Sequence, residues 1–532
     1  MQLEKLFFLI RFPAPHNNRL TNHPQHTMSL NFAASGGAST DAAKKAIAAS
    51  ISVVDTSLAS SVLAEKNWRA NYYNHFVQAN AIALSSSDDC ISSAEAGLAS
   101  LRSTFQLNQV SLSQIEGRKS CTLPLATRVV AGRGTEQAFV CPMNGKEHDL
   151  VSLSKEMKKL VDLGGAEPSV LESVKRLSKN PEWLSKKFLS SFTFAILGAG
   201  SQMGPCQTLL RLGATVIAVD LKGRDAVWNR LSSFAESTPG TLVIPLSNDG
   251  VVRGCDILTD FEAIGRWIIE NSVGKRIVIG GFLYADGSLF ARVAVAADAV
   301  IDAVCKARQD TCLISLCSPT EVFSVPKEAN EEARTRYEAL SIHTPWERTV
   351  SLLSGNRYLE ANVPTLIRAK NGMHEFLLQD SQVWQQGPNY AFAKLIQRWR
   401  NVVARHRGHR VSSNVAPASL TVSVMHNQLI RAGMLGCQFF GIIPFEPVTS
   451  NSLMTALAIH DLIEESSSAN PRTVLKNPMD LFQQNAVHGG TWRCAYKTNS
   501  YTEVSAVLYG MKSVAPYVAI GGLGLWGLRS RL

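Results

Sequence analysis

The chain has 532 residues, 45% hydrophobic and 18% charged, with a formal net charge of +10. Such a length calls for two or three domains, and such a balance excludes a disordered chain. The basic residues are spread out except in RWRNVVARHRGHR at 398–410, which reads as the solvated face of a helix. With no zinc-finger spacing or other nucleic-acid motif, no nucleic-acid partner is expected. The ten cysteines form no C-x-x-C pair and there is no H-E-x-x-H, so reduced buried thiols and no metal are expected.

Residues 1–39 read as a disordered or targeting extension. The apolar run Leu6–Ile10 is too short for a secretory core, while Lys5, Arg11 and Arg19 give a transit-peptide flavour that keeps a mitochondrial address open. Residues 40–190 read as a mostly helical N-terminal domain with no recognisable chemistry. Apolar residues recur at helical spacing in KKAIAASISVVDTSLASSVLAEKNW, TRVVAG and EQAFVC suggest short strands, and 149–163 and 167–189 return to helix with a break at PEW.

From 191 to 510 the pattern becomes an alternation of apolar strand candidates and helices. It begins with FTFAIL and continues through TVIAV, TLVIPL, IVIGG and TCLISLCS. Repeated β-α units of this kind predict an α/β fold with a doubly wound parallel sheet of the Rossmann type. Asp256 closes a turn there, and Thr259 or Asp260 is positioned to cap the next helix. Residues 319–380 break the rhythm and read as an insertion with its own helix from Lys327 to Leu340, forming a lid or substrate wall before the Tyr390 helix.

The first of these units carries the clearest chemistry. Gly198 permits a tight turn out of the strand, Gly200 has no side chain to block a pyrophosphate, and Gly204 lets the following helix pack on the sheet with free amides at its N-terminus. Asp220 ends the next strand roughly 20 residues on, where an acid accepts from ribose hydroxyls. The combination predicts a dinucleotide site. Asp220 would repel a 2′-phosphate and so favours NAD, while Lys222 and Arg224 keep NADP open.

GPNYAFAKLIQRW sets Tyr390 and Lys394 one turn apart on a single helix face. The ammonium is expected to favour the phenolate and lower its pKa, so that the pair exchanges a proton with a carbonyl or alcohol. With the glycine loop, Asp256-Ile-Leu-Thr-Asp260 and Val411–Pro417, this region resembles the short-chain dehydrogenase/reductase family over about residues 192–495. EPVTSNSLMTALAIHDLI is similar to that family's late helix, and HGGTW to its final strand turn.

The resemblance implies hydride transfer between NAD, or NADP, and a small-molecule carbonyl or alcohol. Tyr390 would be the acid/base and Lys394 its tuner and a ribose ligand. It further implies cofactor contacts from Gly198, Gly200, Ser201, Met203, Gly204, Asp220, Asp256, Gly280, Lys394 and Pro417, and a homo-oligomer. Two features depart from it. The family's asparagine after the fourth strand is replaced by Ile279-Gly280-Gly281-Phe282, and the catalytic serine is displaced. Ser318 at the end of TCLISLCS is one replacement, preferred for its strand context, and Ser381 is the other. A non-catalytic dinucleotide-binding scaffold is the alternative reading. A methyltransferase is a third, opposed by the full glycine triplet and by Tyr390 with Lys394.

Residues 511–532 read as an apolar tail. Val514–Leu528 is apolar, too short for a membrane span but compatible with a packed, interfacial or subunit contact. The terminal Ser530-Arg531-Leu532 is similar to the S-K-L peroxisomal address, which implies an import receptor and a peroxisomal rather than a cytoplasmic location.

Overall fold

The structure, a computed structural model, describes residues 29–32, 39–116, 123–343, 345–355 and 357–511. The expected N-terminal extension, apart from residues 29–32 and 39, and the apolar tail after residue 511, with its terminal tripeptide, lie outside the described residues.

The chain is α/β, built on one seven-stranded sheet. Its strands are β1 (Ala126–Ala131), β2 (Phe192–Leu197), β3 (Thr215–Val219), β4 (Thr241–Leu246), β5 (Arg276–Gly281), β6 (Cys312–Cys317) and β7 (Arg410–Val415). The spatial order is β7-β6-β5-β2-β3-β4-β1. Six strands run parallel, and β1 closes one edge antiparallel to β4. Alternate residues of a strand point to opposite faces, and both faces are buried here. Ala195 and Leu197 of β2 enter one core with Ile217, Ile277 and Leu313. Phe194 and Ile196 enter the other with Val216, Val278 and Ile314. That double burial explains why these strands read as continuous apolar runs.

The described residues before 190 divide between the two faces. Helices Ser39–Ser52, Thr56–Ala64, Trp68–Ala83 and Ser87–Thr104 contribute to the same core as Ile257–Glu270, Ser288–Ala307 and Pro388–His406. Helices Leu150–Asp162 and Pro168–Lys179 join the opposite core with Pro447–Ile463. This corrects the expectation of a separate domain over 40–190. Its apolar stripes are spent on the sheet's own helices, and β1 is a strand of that sheet.

The basic run at 398–410 is also corrected. Arg398 and Arg400 are 4% and 3% exposed, so that stretch of the helix faces the protein. Arg400 sits 2.5 Å from both Asp298 and Asp302, and Arg102 of the N-terminal helices reaches the same two carboxylates at 3.0 and 3.1 Å. Burial pushes the Asp302 carboxyl up, but Arg400, Arg102 and Lys306 outweigh it and hold it at about 2. A buried cation without such partners would cost several kcal/mol.

Residues 319–380 leave the sheet after β6. They form a three-stranded antiparallel sheet of Val322–Val325, Thr365–Arg368 and Glu375–Asp380, together with helices Lys327–His343 and Pro345–Leu353. HGGTW forms no final sheet strand. Val487 just before it gives a single backbone bond to Val415 at 2.8 Å, and 491–493 turn as a short 3-10 helix. Nine cysteines are buried and unpaired among the described residues. In the same set, no helix is long and apolar enough to cross a membrane and no group of three metal-ligating side chains occurs.

Candidate functional site

The carboxyl ends of the parallel strands bring most of the expected residues to one edge. The glycine loop leaves β2 with Gly198 at φ +87°, a left-handed conformation that favours glycine. A Cβ at Gly198 would also lie 2.9 Å from the Phe282 backbone beyond β5, and one at Gly200 would lie 2.8 Å from Val227 and 2.9 Å from Asp220. Phe282 donates to the Leu197 carbonyl at 2.7 Å, which sets Gly280 and the residues after β5 beside the loop. Asp220 lies at the end of β3; one carboxylate oxygen accepts from the Gly200 amide at 2.7 Å and the other from Leu221 at 2.8 Å. Ser201 and Met203 stand half-buried on the loop's outer turn, and Gly204 is held through its carbonyl by Asn451.

The helix after the loop is the short Cys206–Arg211, preceded by Pro205, which has no N–H to offer. The amides of Gly198 and Ala199 donate to Val219, those of Ser201 and Gly204 stay within the loop, and that of Gly200 is taken by Asp220.

Asp256 approaches Asp220 because the neighbouring Cys255 amide donates to the Asp220 carbonyl at 2.9 Å. The cap of the next helix is Asp256 itself, accepting from Leu258 at 2.9 Å, rather than Thr259 or Asp260. Asp260 instead accepts from the Asp256 amide at 2.9 Å.

At the other end of the site, Pro388 opens the Pro388–His406 helix at a position where its missing N–H costs nothing. Tyr390 and Lys394 follow on one face. Lys394 donates to the Leu316 carbonyl of β6 at 2.9 Å, and Ser318, just past β6, stands near enough to the Tyr390 phenol to favour its ionised form. Ser318 also pairs with the Thr320 hydroxyl at 2.7 Å, which in turn donates to Gln386 at 2.7 Å. Ala416 donates to the Cys317 carbonyl at 3.0 Å, so the buried Pro417 lies beside the same strand end.

Ser381 does not meet Tyr390 in this way. It is fully buried, its hydroxyl accepts from Gln379 at 3.1 Å, and its amide donates to Glu321. Of the two candidate serines, Ser318 is the one whose side chain acts on the Tyr390 phenol.

The tuning of Tyr390 differs from the sequence expectation. Burial pushes the phenol above its usual range; the Lys394 ammonium and the nearby Ser318 pull it down without cancelling the rise, to which Glu321 and Cys317 add. Desolvation wins over a single cation one turn away. An aromatic wall continues from Tyr390 to Phe290, with centroids 5.7 Å apart, and from Phe290 to the exposed Tyr284 at 5.2 Å.

Sequence reading missed Glu321 and Arg398. Glu321 is 5% exposed, and its carboxylate accepts from the Ser318 amide at 2.5 Å. Arg398 lies 3.8 Å from that carboxylate, with Phe323 and Phe482 4.9 and 4.8 Å from its guanidinium. The spacing 390, 394, 398 puts the three on one helix stripe, a signal present in the sequence but masked by the basic run around Arg398.

No family model, curated protein or solved structure matches this chain.

Proposed function

We propose that this protein is an NAD(P)-dependent oxidoreductase of the short-chain type, interconverting a small carbonyl and an alcohol. The convergence of Ser318, Tyr390 and Lys394 at the carboxyl edge of the parallel strands carries this reading. The six parallel strands, numbered among themselves, stand in the order 3-2-1-4-5-6, which supports a Rossmann fold with its switch point between β2 and β5. The glycine loop lies at that point.

The residues there fit a dinucleotide. Two glycine positions have no room for a Cβ, and the loop is braced by the acid that ends β3. Gly198, Gly200, Ser201, Met203 and Gly204 would hold the pyrophosphate side, Asp220 and Asp256 the adenosine side, and Gly280, Lys394 and Pro417 the nicotinamide side. The commitment of Asp220 to the Gly200 amide leaves its carboxylate at the loop, which favours NAD over a 2′-phosphorylated cofactor. When bound, the nicotinamide supplies or accepts the hydride. Tyr390 gives its phenolic proton to the carbonyl oxygen in reduction and takes it back in oxidation. Ser318 donates to the same oxygen, and Lys394 stabilises the phenolate.

Titration with NADH and NADPH by fluorescence, followed by turnover of a panel of ketones and alcohols, tests the reading. Binding of NADH and a turnover abolished in Tyr390→Phe are expected. Absence of binding to either cofactor overturns it. Binding without turnover, with Tyr390→Phe indistinguishable, identifies a scaffold instead. The tail supports a peroxisomal address, and deletion of Ser530–Leu532 should leave a tagged protein cytosolic.

A further inference from the structure

We infer that a cavity between the helix Trp68–Ala83 and the three-stranded sheet of the insertion binds a small zwitterion, a free amino acid or short peptide, with Asp380 holding its ammonium and Lys497 its carboxylate. The cavity measures about 580 Å³, within the usual range for a small-molecule site. It is lined by Tyr73 and Gln78 of that helix, by Asp380 at the end of strand Glu375–Asp380, and by Asn362 and Lys497. None of its residues belongs to the site around the glycine loop and Tyr390, so the inference stands apart from the proposed oxidoreductase reading. Tyr73 stacks on Trp384 with centroids 4.6 Å apart and planes at 25°, which braces that wall before any ligand arrives.

The cavity's charged groups differ in what is left open. Glu65 is satisfied: one oxygen accepts from the Asn67 amide at 2.6 Å and the other from Asn71 at 3.0 Å. Asp380 is half satisfied. Its Oδ1 takes both bonds from Gln382, at 3.1 Å from the amide and 3.0 Å from Nε2, and its Oδ2 has no partner among the described residues. The Lys497 ammonium makes no hydrogen bond among those residues, and its ion pair with Glu360 is a long one at 3.8 Å. No ion pair joins it to Asp380, although both line the cavity. Burial pushes the Asp380 carboxyl above its ordinary range; the Gln382 bonds and Lys497 pull it back without cancelling the rise. A ligand ammonium would offset that burial, and a ligand carboxylate would complete Lys497; a neutral polyol answers neither charge. Two buried or half-buried amides supply the remaining contacts. Asn362, 6% exposed, donates to the Cys494 carbonyl at 3.1 Å and keeps its oxygen to accept. Gln78 meets His75 through its oxygen at 3.1 Å and keeps its nitrogen to donate.

The test is saturation-transfer NMR followed by calorimetry on the full chain. The probes are the standard free amino acids and glycyl dipeptides, each beside its N-acetyl and methyl-ester forms, with glucose as the neutral polyol. At least one free zwitterion should bind, and blocking either end should weaken it by about tenfold or more, the loss expected for one charge-assisted hydrogen bond. Asp380→Asn removes the charge but keeps an oxygen for Gln382, and Lys497→Met removes the ammonium but keeps its stem. Each should weaken the same ligand by about tenfold or more. Circular dichroism checks that the variants fold; if Asp380→Asn does not, Lys497→Met decides, because its ammonium makes no hydrogen bond to lose. Absence of binding by every zwitterion overturns the inference. So does binding that the blocked forms share, or that the folded variants leave unchanged. Glucose bound in preference identifies a polyol site and overturns it equally. No nicotinamide cofactor or turnover enters this test, so its failure and the failure of the oxidoreductase reading are separate results.

Discussion

Lys394 donates to the main-chain carbonyl of Leu316 at 2.9 Å, which fastens the helix bearing Tyr390 to the strand end bearing Ser318. One ammonium therefore joins two segments separated in sequence by the whole 319–380 insertion. Lys394→Met should break both functions. Loss of the hydrogen bond should cost about 1 to 2 kcal/mol in chemical denaturation, and kcat should fall further than that loss of stability explains.

Ser318 and Ser381 separate in two assays. Ser318→Ala should lower kcat by roughly 100-fold, a typical loss for one catalytic proton donor, while leaving the melting temperature near that of the wild type. Ser381→Ala should do the reverse. Gln379 keeps its bond to the Thr491 carbonyl at 3.1 Å, so the cost is about 1 kcal/mol of stability with turnover retained. A catalytic loss in Ser381→Ala would refute this assignment.

Gly200→Ala puts a methyl group where Asp220 and Val227 already stand within 2.9 Å. Asp220 must swing away and the Gly200 amide loses its acceptor. NADH affinity should weaken by about tenfold or more, equivalent to about 1.4 kcal/mol, as measured by fluorescence titration. Asp220→Ala should shift the preference toward NADPH, since the acid that repels a 2′-phosphate is gone.

The raised phenol of Tyr390 gives the two reaction directions different pH profiles. Reduction uses the protonated phenol and should be flat across about pH 6 to 9, well below the ordinary tyrosine range. Oxidation needs the phenolate and should climb throughout that interval. Steady-state kcat in both directions against pH checks the sign, and a reduction rate that falls below neutral as pH rises would contradict it.

Asp302 provides an acid-stability test. Its carboxyl is held at about 2 in the folded chain, below the unfolded value near 3.9. A depressed folded pKa contributes stability that is present above the unfolded value and lost as pH falls through the folded one. The loss should fall between roughly pH 4 and 2 and amount to about 2 kcal/mol. Asp302→Asn should remove that pH-dependent component, read from denaturation midpoints, and should destabilise at neutral pH because Arg400 and Arg102 lose a charged partner.

Much of the sheet was legible locally. Thr215–Val219, Thr241–Leu246 and the strand ending at Gly281 stand where apolar runs announced them. A strand buried on both faces must be apolar at every position, and its neighbours must break the run. The helix start at Asp256 was harder to read. Asp256, Thr259 and Asp260 are all competent caps, and only the Leu258 amide bond distinguishes the one in use. Arg398 and Arg400 were misread because side-chain charge predicts solvent exposure unless a buried partner exists, and their partners lie on other helices.

By itself, the sequence determined the alternating strands, the glycine loop and the shared face of Tyr390 and Lys394, since each depends on residues within a few turns of one another. Tertiary structure alone decided that Ser318 rather than Ser381 stands near the phenol, that helices from 39 to 104 and from 150 to 179 cover opposite faces of the sheet, and that Asn80 reaches Arg398. Those contacts join segments up to 318 positions apart. Distance along the chain carries no information about them; the burial of complementary surfaces decides which distant polar groups must find each other.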